Sequence, residues 1–169
     1  MNFESIYLSH SSLVYNVALQ YVQNKEDAEE ITQDVFIKVY DKHLEFKGDS
    51  ALKTWIYRIT INTSLDYIKA KTRKKRAAFY HRDDEALQYL SDFNHPGVAL
   101  ENKEAMAALF KAINLLPEKQ RTVLLLLKVE GLSQKEIAEI LKKSPKAIES
   151  IFQRAKANLK KIRTKAEGL

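Results

Sequence analysis

Residues 131-GLSQKEIAEILKKSPKAIESIFQR-154 carry the clearest structural signals in the C-terminal part of this chain. Ser133 and Glu136 fit a capping box, in which a hydroxyl and a carboxylate each satisfy a backbone donor at a helix start. Ser144 and Pro145 give a second start signal, with a hydroxyl at the N-cap and proline at the first helical position. Two helices joined by a very short turn are therefore predicted. This is the layout of a helix-turn-helix, whose second helix enters the major groove of DNA.

The second of these helices is predicted to have one apolar and one polar side. Its apolar residues recur at three- and four-residue steps: Ile148, Ile151, Phe152, Ala155, Leu159 and Ile162. The opposite side carries Lys146, Glu149, Ser150, Gln153 and Ala157. Four cations flank that side, where phosphates would lie: Arg154, Lys156, Lys160 and Lys161. Periodicity alone fits a DNA-reading helix and also an ordinary amphipathic helix with a solvated face.

Composition indicates an all-α protein without disulfides. The 169 residues include only 4 glycines, 3 prolines and no cysteine, which excludes a disulfide framework and a thiolate metal site. The largest apolar run, Val123 to Leu127, is too short to span a bilayer, and no signal peptide opens the chain. We therefore expect a cytoplasmic protein that is not inserted into a membrane.

Charge alternates along the chain in four blocks. Residues 1–50 and 83–104 each carry a net charge of −5, whereas residues 51–82 and 105–169 each carry +8. Two separate basic blocks predict two nucleic-acid contacts. The first acidic block would be repelled by phosphate, so it favours a protein partner.

Helical periodicity divides the chain into two small helical domains, 1–76 and 105–169, joined by a flexible linker at 77–104. Helices are predicted at Phe3 to Val22, at about Glu26 to His43, and from Ala51 into a basic run that ends at Arg76. The C-terminal helices are predicted at about 101–115, 118–129, 133–142 and 145–165. The second helix should pack on the core through Ala28, Ile31, Val35, Val39 and Leu44.

Five segments together resemble the extracytoplasmic-function (ECF, group IV) sigma factors of bacterial RNA polymerase, a branch of the sigma-70 family. Residues 27–36 (DAEEITQDVF) are similar to the start of the family's second conserved region. Residues 46–50 (FKGDS), with 54–59 (TWIYRI) and Asn62, match its next region. Residues 116–121 (LPEKQR) and 131–138 match the start of its C-terminal domain. The resemblance covers almost all of the chain except the linker, and it implies a three-helix region 2 domain and a helix-turn-helix region 4 domain.

The resemblance also implies partners for the N-terminal domain. In this family the acidic second helix docks on core RNA polymerase, and the matching contacts are Gln33, Asp34, Ile37 and Lys38. A merely solvated acidic face is the alternative. Members of the family are commonly held inactive by an anti-sigma factor, so such a protein is a further candidate partner.

Promoter DNA is the other implied partner. In the family, the loop before the third helix captures a base flipped out of the downstream (−10) element, and stacking and hydrogen bonds offset the cost of extracting that base. The matching positions, with the cations that would follow the single strand, are Phe46, Lys47, Gly48, Asp49, Arg58, Asn62, Lys69, Lys71 and Arg73. When the family resemblance is set aside, only two features of the sequence point to this role: the permissive backbone of Gly48 and the side-chain amide of Asn62, which can both donate and accept hydrogen bonds.

The upstream (−35) element would be read by the second helix of the helix-turn-helix. Its candidate contacts are Ser144, Lys146, Glu149, Ser150, Gln153, Arg154 and Lys156. This chain departs from the family here: Lys142-Lys143 replace a Gly-Ile or Gly-Val pair, Glu149 replaces a basic residue, and Ile151 replaces arginine. Glu149 either accepts a hydrogen bond from a cytosine amino group or only repels phosphate. Ile151 is expected to pack.

The expected function is that of a sigma factor that directs promoter-specific initiation and aids melting. An enzyme is not expected: the four histidines lack metal-ligand spacing, and neither a glycine-rich phosphate loop nor a nucleophile motif is present. No cofactor, metal or small-molecule substrate is expected. The alternative is a stand-alone helix-turn-helix regulator that binds duplex DNA as a dimer. It would explain residues 105–169 but leave the acidic helix without a role.

Overall fold

The computed structural model describes residues 2–44, 46–48, 50–79 and 103–167. These residues form helices and connecting turns without a β-strand, which confirms the predicted all-α class. The helices are α1 (Phe3–Val22), α2 (Lys25–Lys42), α3 (Leu52–Phe79), α4 (Lys103–Asn114), α5 (Glu118–Lys128), α6 (Gln134–Leu141) and α7 (Pro145–Glu167). Most of the predicted linker, 77–104, lies outside the described residues.

The chain divides into two compact units. The first comprises Met1–Lys47 and Ile59–Pro96, and the second comprises Gly48–Arg58 and Gly97–Leu169. Helix α3 therefore contributes its first turns to the second unit and the rest of its length to the first. The predicted N-terminal domain, 1–76, includes residues 48–58 as well, and the predicted domain boundaries stay a prediction.

In the first unit, α1 packs against α2. Asparagine caps both helices: the side chain of Asn2 accepts from the backbone N–H of Glu4 at 3.1 Å, and that of Asn24 accepts from Asp27 at 2.8 Å. The predicted core residues Ala28, Ile31, Val35 and Val39 are fully buried. Leu44 was wrongly placed in this core: α2 ends at Lys42, Leu44 lies in the following turn, and its side chain is 84% exposed.

In the second unit, α4, α5 and α6 pack on α7. The predicted capping box is confirmed: Ser133 Oγ accepts from the backbone N–H of Glu136 at 3.2 Å, and Glu136 Oε2 accepts from that of Ser133 at 2.8 Å. The second start signal is confirmed as well, since Ser144 Oγ accepts from the backbone N–H of Ala147 at 3.2 Å. Ile148, Ile151 and Ala155 are buried along α7, so Ile151 packs as expected. The helix-turn-helix is thus formed by α6 and α7.

Candidate functional site

The exposed face of α2 carries the four residues that were predicted to bind a protein partner. Gln33, Asp34, Ile37 and Lys38 are all exposed, and Ile37 exposes 59% of its surface although it is aliphatic. Lys38 Nζ also donates to Thr63 Oγ1 of α3 at 3.0 Å. Val35 and Phe36, between these positions, and Val39, directly after them, are buried, so the four side chains lie on the side of α2 that faces away from the core.

An exposed apolar group, which was not among the predicted site residues, adjoins this face. Tyr40 lies three residues after Ile37 and is 60% exposed, and Tyr7 of α1 is 45% exposed. The Phe3 and Tyr40 ring centroids are 5.1 Å apart, and those of Tyr7 and Phe36 are 4.7 Å apart. The sequence offered one sign of this apolar group, namely that Ile37 and Tyr40 are three residues apart on an otherwise polar face of α2.

A polar network fixes the first turn of α2 against α3. The Tyr67 hydroxyl lies 2.8 Å from Asp27 Oδ1 and 2.9 Å from Glu30 Oε2, and Asn24 Nδ2 donates to Asp27 Oδ2 at 2.8 Å. Lys71 forms an ion pair with Asp27, so this cation, predicted to follow the DNA strand, is engaged within the unit.

The network shifts two pKa values in opposite directions. Burial alone would raise the pKa of Asp27, but hydrogen bonds from Lys71, Asn24 and Tyr67, together with the charge of Lys71, lower it overall. Burial and the hydrogen bonds to Asp27 and Glu30 raise the pKa of Tyr67. The carboxylate form of Asp27 and the neutral phenol of Tyr67 are therefore both favoured by this arrangement.

The predicted base-capturing loop is described at residues 46–48, and Asp49 lies outside the described residues. Phe46 is half-buried and Lys47 is exposed. Gly48 has φ of +76°, in the left-handed region that side chains disfavour. A Cβ placed on Gly48 would meet no atom within 4 Å, so glycine is required there by the backbone conformation and not by space.

Within the first unit, Asn62, Lys69 and Arg73 are exposed on α3. Lys69 and Arg73 are one helical turn apart, and both line a shallow surface depression whose other residues are Asp66, Ile68 and Thr72. Two cations of the predicted strand path therefore lie side by side on one surface.

Arg58, which was predicted to contact the DNA strand, makes its hydrogen bonds to α6 in this structure. In the second unit its Nε donates to the carbonyl oxygen of Ile140 at 3.0 Å, and its Nη2 donates to that of Glu139 at 2.6 Å. Carbonyl groups at the C-terminal end of a helix carry partial negative charge, which suits a guanidinium. The neighbouring Tyr57 hydroxyl donates to Glu130 Oε2 at 2.7 Å, and burial and this contact raise the pKa of Tyr57. Arg58 thus caps α6 in this structure.

The turn between α6 and α7 is formed without glycine. Lys142 ends α6 with φ of +52°, and the backbone N–H of Lys143 donates to the carbonyl oxygen of Ala138 at 2.9 Å. Glycine ordinarily takes this position because other residues are strained there. The substitution of the family's glycine by Lys142 therefore preserves the turn but leaves it with an unfavourable φ.

The polar side of α7 presents the residues predicted to read DNA. Ser144, Lys146, Ser150, Gln153, Arg154 and Lys156 are exposed. Arg154 Nε donates to the carbonyl oxygen of Ser150 at 3.2 Å, and Lys156 Nζ lies 4.9 Å from the centroid of the Phe152 ring. Cations therefore stand on the same helix as neutral polar groups, the combination that phosphate and base contacts require.

Glu149 is half-buried and hydrogen-bonded on both of its carboxylate oxygens. Its Oε2 accepts from the side-chain amide of Gln134, the first residue of α6, and its Oε1 accepts from that of Gln153. Gln134 was not among the predicted site residues. No local sequence signal indicated it, because its partner lies in the other helix of the motif.

Among the described residues, no group of three or more histidine, cysteine, aspartate or glutamate side chains could hold a metal ion. In the same part of the chain, every helix is too short or too polar to cross a membrane.

Comparisons with known proteins match both halves of the chain. The family model for sigma-70 region 2 matches residues 6–74, and that for sigma-70 region 4 matches residues 106–159. The RNA polymerase sigma-H factor of Pseudomonas aeruginosa is 31% identical over 163 residues, which cover 94% of this chain and 84% of that protein. The ECF RNA polymerase sigma-E factor of Escherichia coli K12 is 31% identical over 143 residues, or 82% of this chain and 74% of that protein.

Solved structures share the fold. The sigma factor RpoE of Bartonella quintana, solved with the anti-sigma factor NepR, superposes with a TM-score of 0.68 at 21% identity, covering 96% of both chains. CnrH, solved with the cytosolic domain of CnrY, gives a TM-score of 0.65 at 23% identity, covering 95% of this chain and 86% of the other. At these identities the likeness concerns the fold.

Proposed function

Because the chain belongs to the sigma-70 family as an ECF sigma factor, which directs RNA polymerase to promoters, we propose which of its surfaces make the contacts that this function needs. The observation that carries the proposal is the presence of both region 2 and region 4 in one chain, at residues 6–74 and 106–159. A stand-alone helix-turn-helix regulator would need only the second region, so the family match does not favour it.

Core RNA polymerase binds to the exposed face of α2. Gln33, Asp34, Ile37 and Lys38 form this docking surface. The support for this surface is that all four side chains are exposed, whereas Val35 and Val39 on the other side of α2 are buried. The first turn of α2 is also joined to α3, through the hydrogen bond between Asp27 and Tyr67. An exposed aliphatic residue among polar ones is typical of a protein interface, and the acidic first block of the chain suits a protein partner better than DNA.

The downstream element is bound by the loop before α3 and by α3 itself. Phe46, Lys47, Gly48, Asp49 and Asn62 receive the flipped base. Lys69 and Arg73 contact the backbone of the single strand, supported by their neighbouring positions on one surface depression. Arg58 joins them only after its donors leave the carbonyl oxygens of Glu139 and Ile140.

The upstream element is bound as duplex by α7. Ser144, Lys146, Arg154 and Lys156 contact phosphates and fix the register of the helix, while Glu149, Ser150 and Gln153 face the base edges. This division follows the chemistry of the side chains, since cations and helix N-termini suit phosphates and carboxylate and amide groups suit bases.

We also propose how the chain acts, in which compartment it acts and which kind of protein holds it inactive. The chain acts by binding and not by catalysis, and it acts in the cytoplasm, where promoter DNA is found. An anti-sigma factor holds it inactive. The support for such a partner is that both RpoE and CnrH, which share its fold, were solved as complexes with other proteins, in the first case with an anti-sigma factor.

Binding measurements separate this proposal from the alternative. The full chain is labelled and titrated with core RNA polymerase, and separately with duplex promoter fragments in the absence of polymerase. We expect tight binding to core and weak binding to free duplex, because polymerase must space the two DNA-binding regions. Tight binding to a palindromic duplex as a dimer, without affinity for core, would overturn the proposal in favour of the regulator.

A further inference from the structure

Glu149 occupies the place on α7 from which a helix-turn-helix reads bases. It is the fifth residue of the helix, and the N-terminal residues of a recognition helix contact base edges in the major groove. Its neighbours Ile148 and Ile151 are buried, whereas Ser150 and Gln153 are exposed. Glu149 therefore stands at the boundary between the core and the polar side of α7.

Its carboxylate is held by two neutral amides, one on each oxygen. Gln134 donates from α6 to Oε2, and Gln153 donates from the next turn of α7 to Oε1. Because the two donors come from two different helices, they fix both the position and the rotation of the carboxylate group. A glutamate that merely faced solvent would spread over several rotamers.

The fixed carboxylate can still accept further hydrogen bonds. An ionised carboxylate has about four lone-pair sites and no donor, so two sites remain when Gln134 and Gln153 each use one. The Glu149 carboxylate would therefore offer the major groove of DNA hydrogen-bond acceptors and no donor.

Only some base edges match such a group. In the major groove cytosine offers the N4 amino donor, whereas guanine offers N7 and O6 acceptors and thymine offers the O4 acceptor beside a methyl group. Adenine has an amino donor, but its N7 acceptor lies next to it and would face the carboxylate. Cytosine is thus the base whose edge matches Glu149 without a repulsive neighbour.

The charge of Glu149 is compatible with DNA binding because cations surround it on the same helix. Lys146 precedes it by three residues and Arg154 follows it by five, and both are exposed. These side chains supply the attraction to phosphate, which leaves the carboxylate to discriminate between bases instead of setting overall affinity.

We infer that Glu149 accepts a hydrogen bond from the N4 amino group of a cytosine in the upstream element, and that Gln134 is a positioning residue that holds its carboxylate for this contact. The inference rests on the proposed function, since it requires α7 to read the upstream element. It makes Glu149 a specificity-determining residue.

The test uses the complete chain with core RNA polymerase on a promoter that this holoenzyme transcribes. The upstream element is randomised one base pair at a time, and transcripts from the pool are sequenced. At one position we expect cytosine, on one strand, to be preferred roughly 5- to 150-fold over other bases, the range for one good base contact. Glu149→Ala should abolish the preference at that position alone, and Glu149→Gln should shift it toward adenine, which an amide can contact with both a donor and an acceptor.

Gln134→Met tests the positioning role, because it keeps a side chain of similar length and removes the donor. We expect a weakened preference at the same base pair and unchanged preferences elsewhere, a result that general loss of stability would not produce. Glu139→Gln is the matched control: it removes a carboxylate from an exposed position of α6 that does not contact Glu149, and it should change no base preference.

The outcomes distinguish a failure of the proposed function from a failure of this inference alone. If the wild-type chain selects no promoter with core, the proposed function fails and the inference falls with it. If the wild-type chain selects promoters, but both Glu149 variants keep every base preference, the inference alone is overturned. Unchanged preferences in Gln134→Met, with changed ones in Glu149→Ala, would overturn the positioning role.

Discussion

The hydroxyl of Tyr67 lies 2.8 Å from Oδ1 of Asp27 and so joins the middle of α3 to the first turn of α2. The two residues are 40 positions apart in the sequence. Asp27 also accepts from Asn24, which caps the same helix, and pairs with Lys71. One carboxylate therefore holds the start of the proposed docking helix against α3, and its contribution to stability should depend on pH.

Asp27→Asn should destabilise the protein by about 1.5–3 kcal/mol at neutral pH, the range for hydrogen bonds to a charged group. The pKa of Asp27 is lowered in the folded state. Its stabilisation is then fully present above the unfolded-state pKa and is lost as pH falls through the folded-state pKa. Urea unfolding at a series of pH values should show the wild type and Asp27→Asn converging in acid. Asp34→Asn, at an exposed position of the same helix, is the control. A difference that stayed constant down to the lowest pH would contradict this role of Asp27.

Asp34→Arg should weaken binding to core RNA polymerase roughly 30-fold or more, since reversing a charge inside an interface costs about 2 kcal/mol or more. Helix α2 itself should remain folded because Asp34 is exposed. Titration of labelled protein with core measures the change. Glu29→Arg makes the same charge change about 140° around the helix, at an exposed residue that forms an ion pair with Lys25 one turn away. If the two variants lose affinity equally, the docking surface is misplaced.

Lys142→Gly should stabilise the second unit by about 1 kcal/mol, because a side chain in the left-handed region costs about 1–2 kcal/mol and the gain is reduced by the added flexibility of glycine in the unfolded chain. Thermal unfolding followed by circular dichroism would detect a rise in Tm of a few degrees. Lys143→Gly serves as the comparison, since Lys143 does not have a positive φ, and it should not stabilise. A lower Tm for Lys142→Gly would mean that the lysine side chain makes a stabilising contact.

Lys69→Ala and Arg73→Ala should each weaken binding of the holoenzyme to a single-stranded downstream element and reduce its salt dependence. Each lost phosphate contact lowers the slope of log K against log salt by about 0.7 for a single strand. Affinities at several salt concentrations measure both effects. Lys111→Ala, at an exposed cation of α4, should leave the slope unchanged. If Lys69→Ala and Arg73→Ala both left the slope of log K against log salt unchanged, these two residues would not contact the single strand.

Local signals predicted much of the fold. The hydroxyl and carboxylate at Ser133 and Glu136, and the hydroxyl and proline at Ser144 and Pro145, act on backbone groups a few residues away, so the sequence alone located α6 and α7. Leu44 was misassigned because its periodic position continues the apolar side of α2 beyond the residue at which the helix ends.

The contacts that shape the candidate site could not be predicted in the same way. Tyr67 with Asp27, Gln134 with Glu149, and Arg58 with the carbonyl oxygens of α6 each join residues far apart in the sequence. No pattern within one helix indicates them. The roles of Gln33, Asp34 and the residues of the base-capturing loop came from the family resemblance, and they stay predictions.

Transcription in vitro shows directly whether this chain makes core RNA polymerase select promoters. Core RNA polymerase is supplied with fragments of the source genome, with and without the full chain, and the transcript start sites are mapped by sequencing. We expect a small set of start sites that depend on the chain and share an upstream and a downstream element at constant spacing. Start sites identical to those of core alone, with the chain verified as folded, would contradict it.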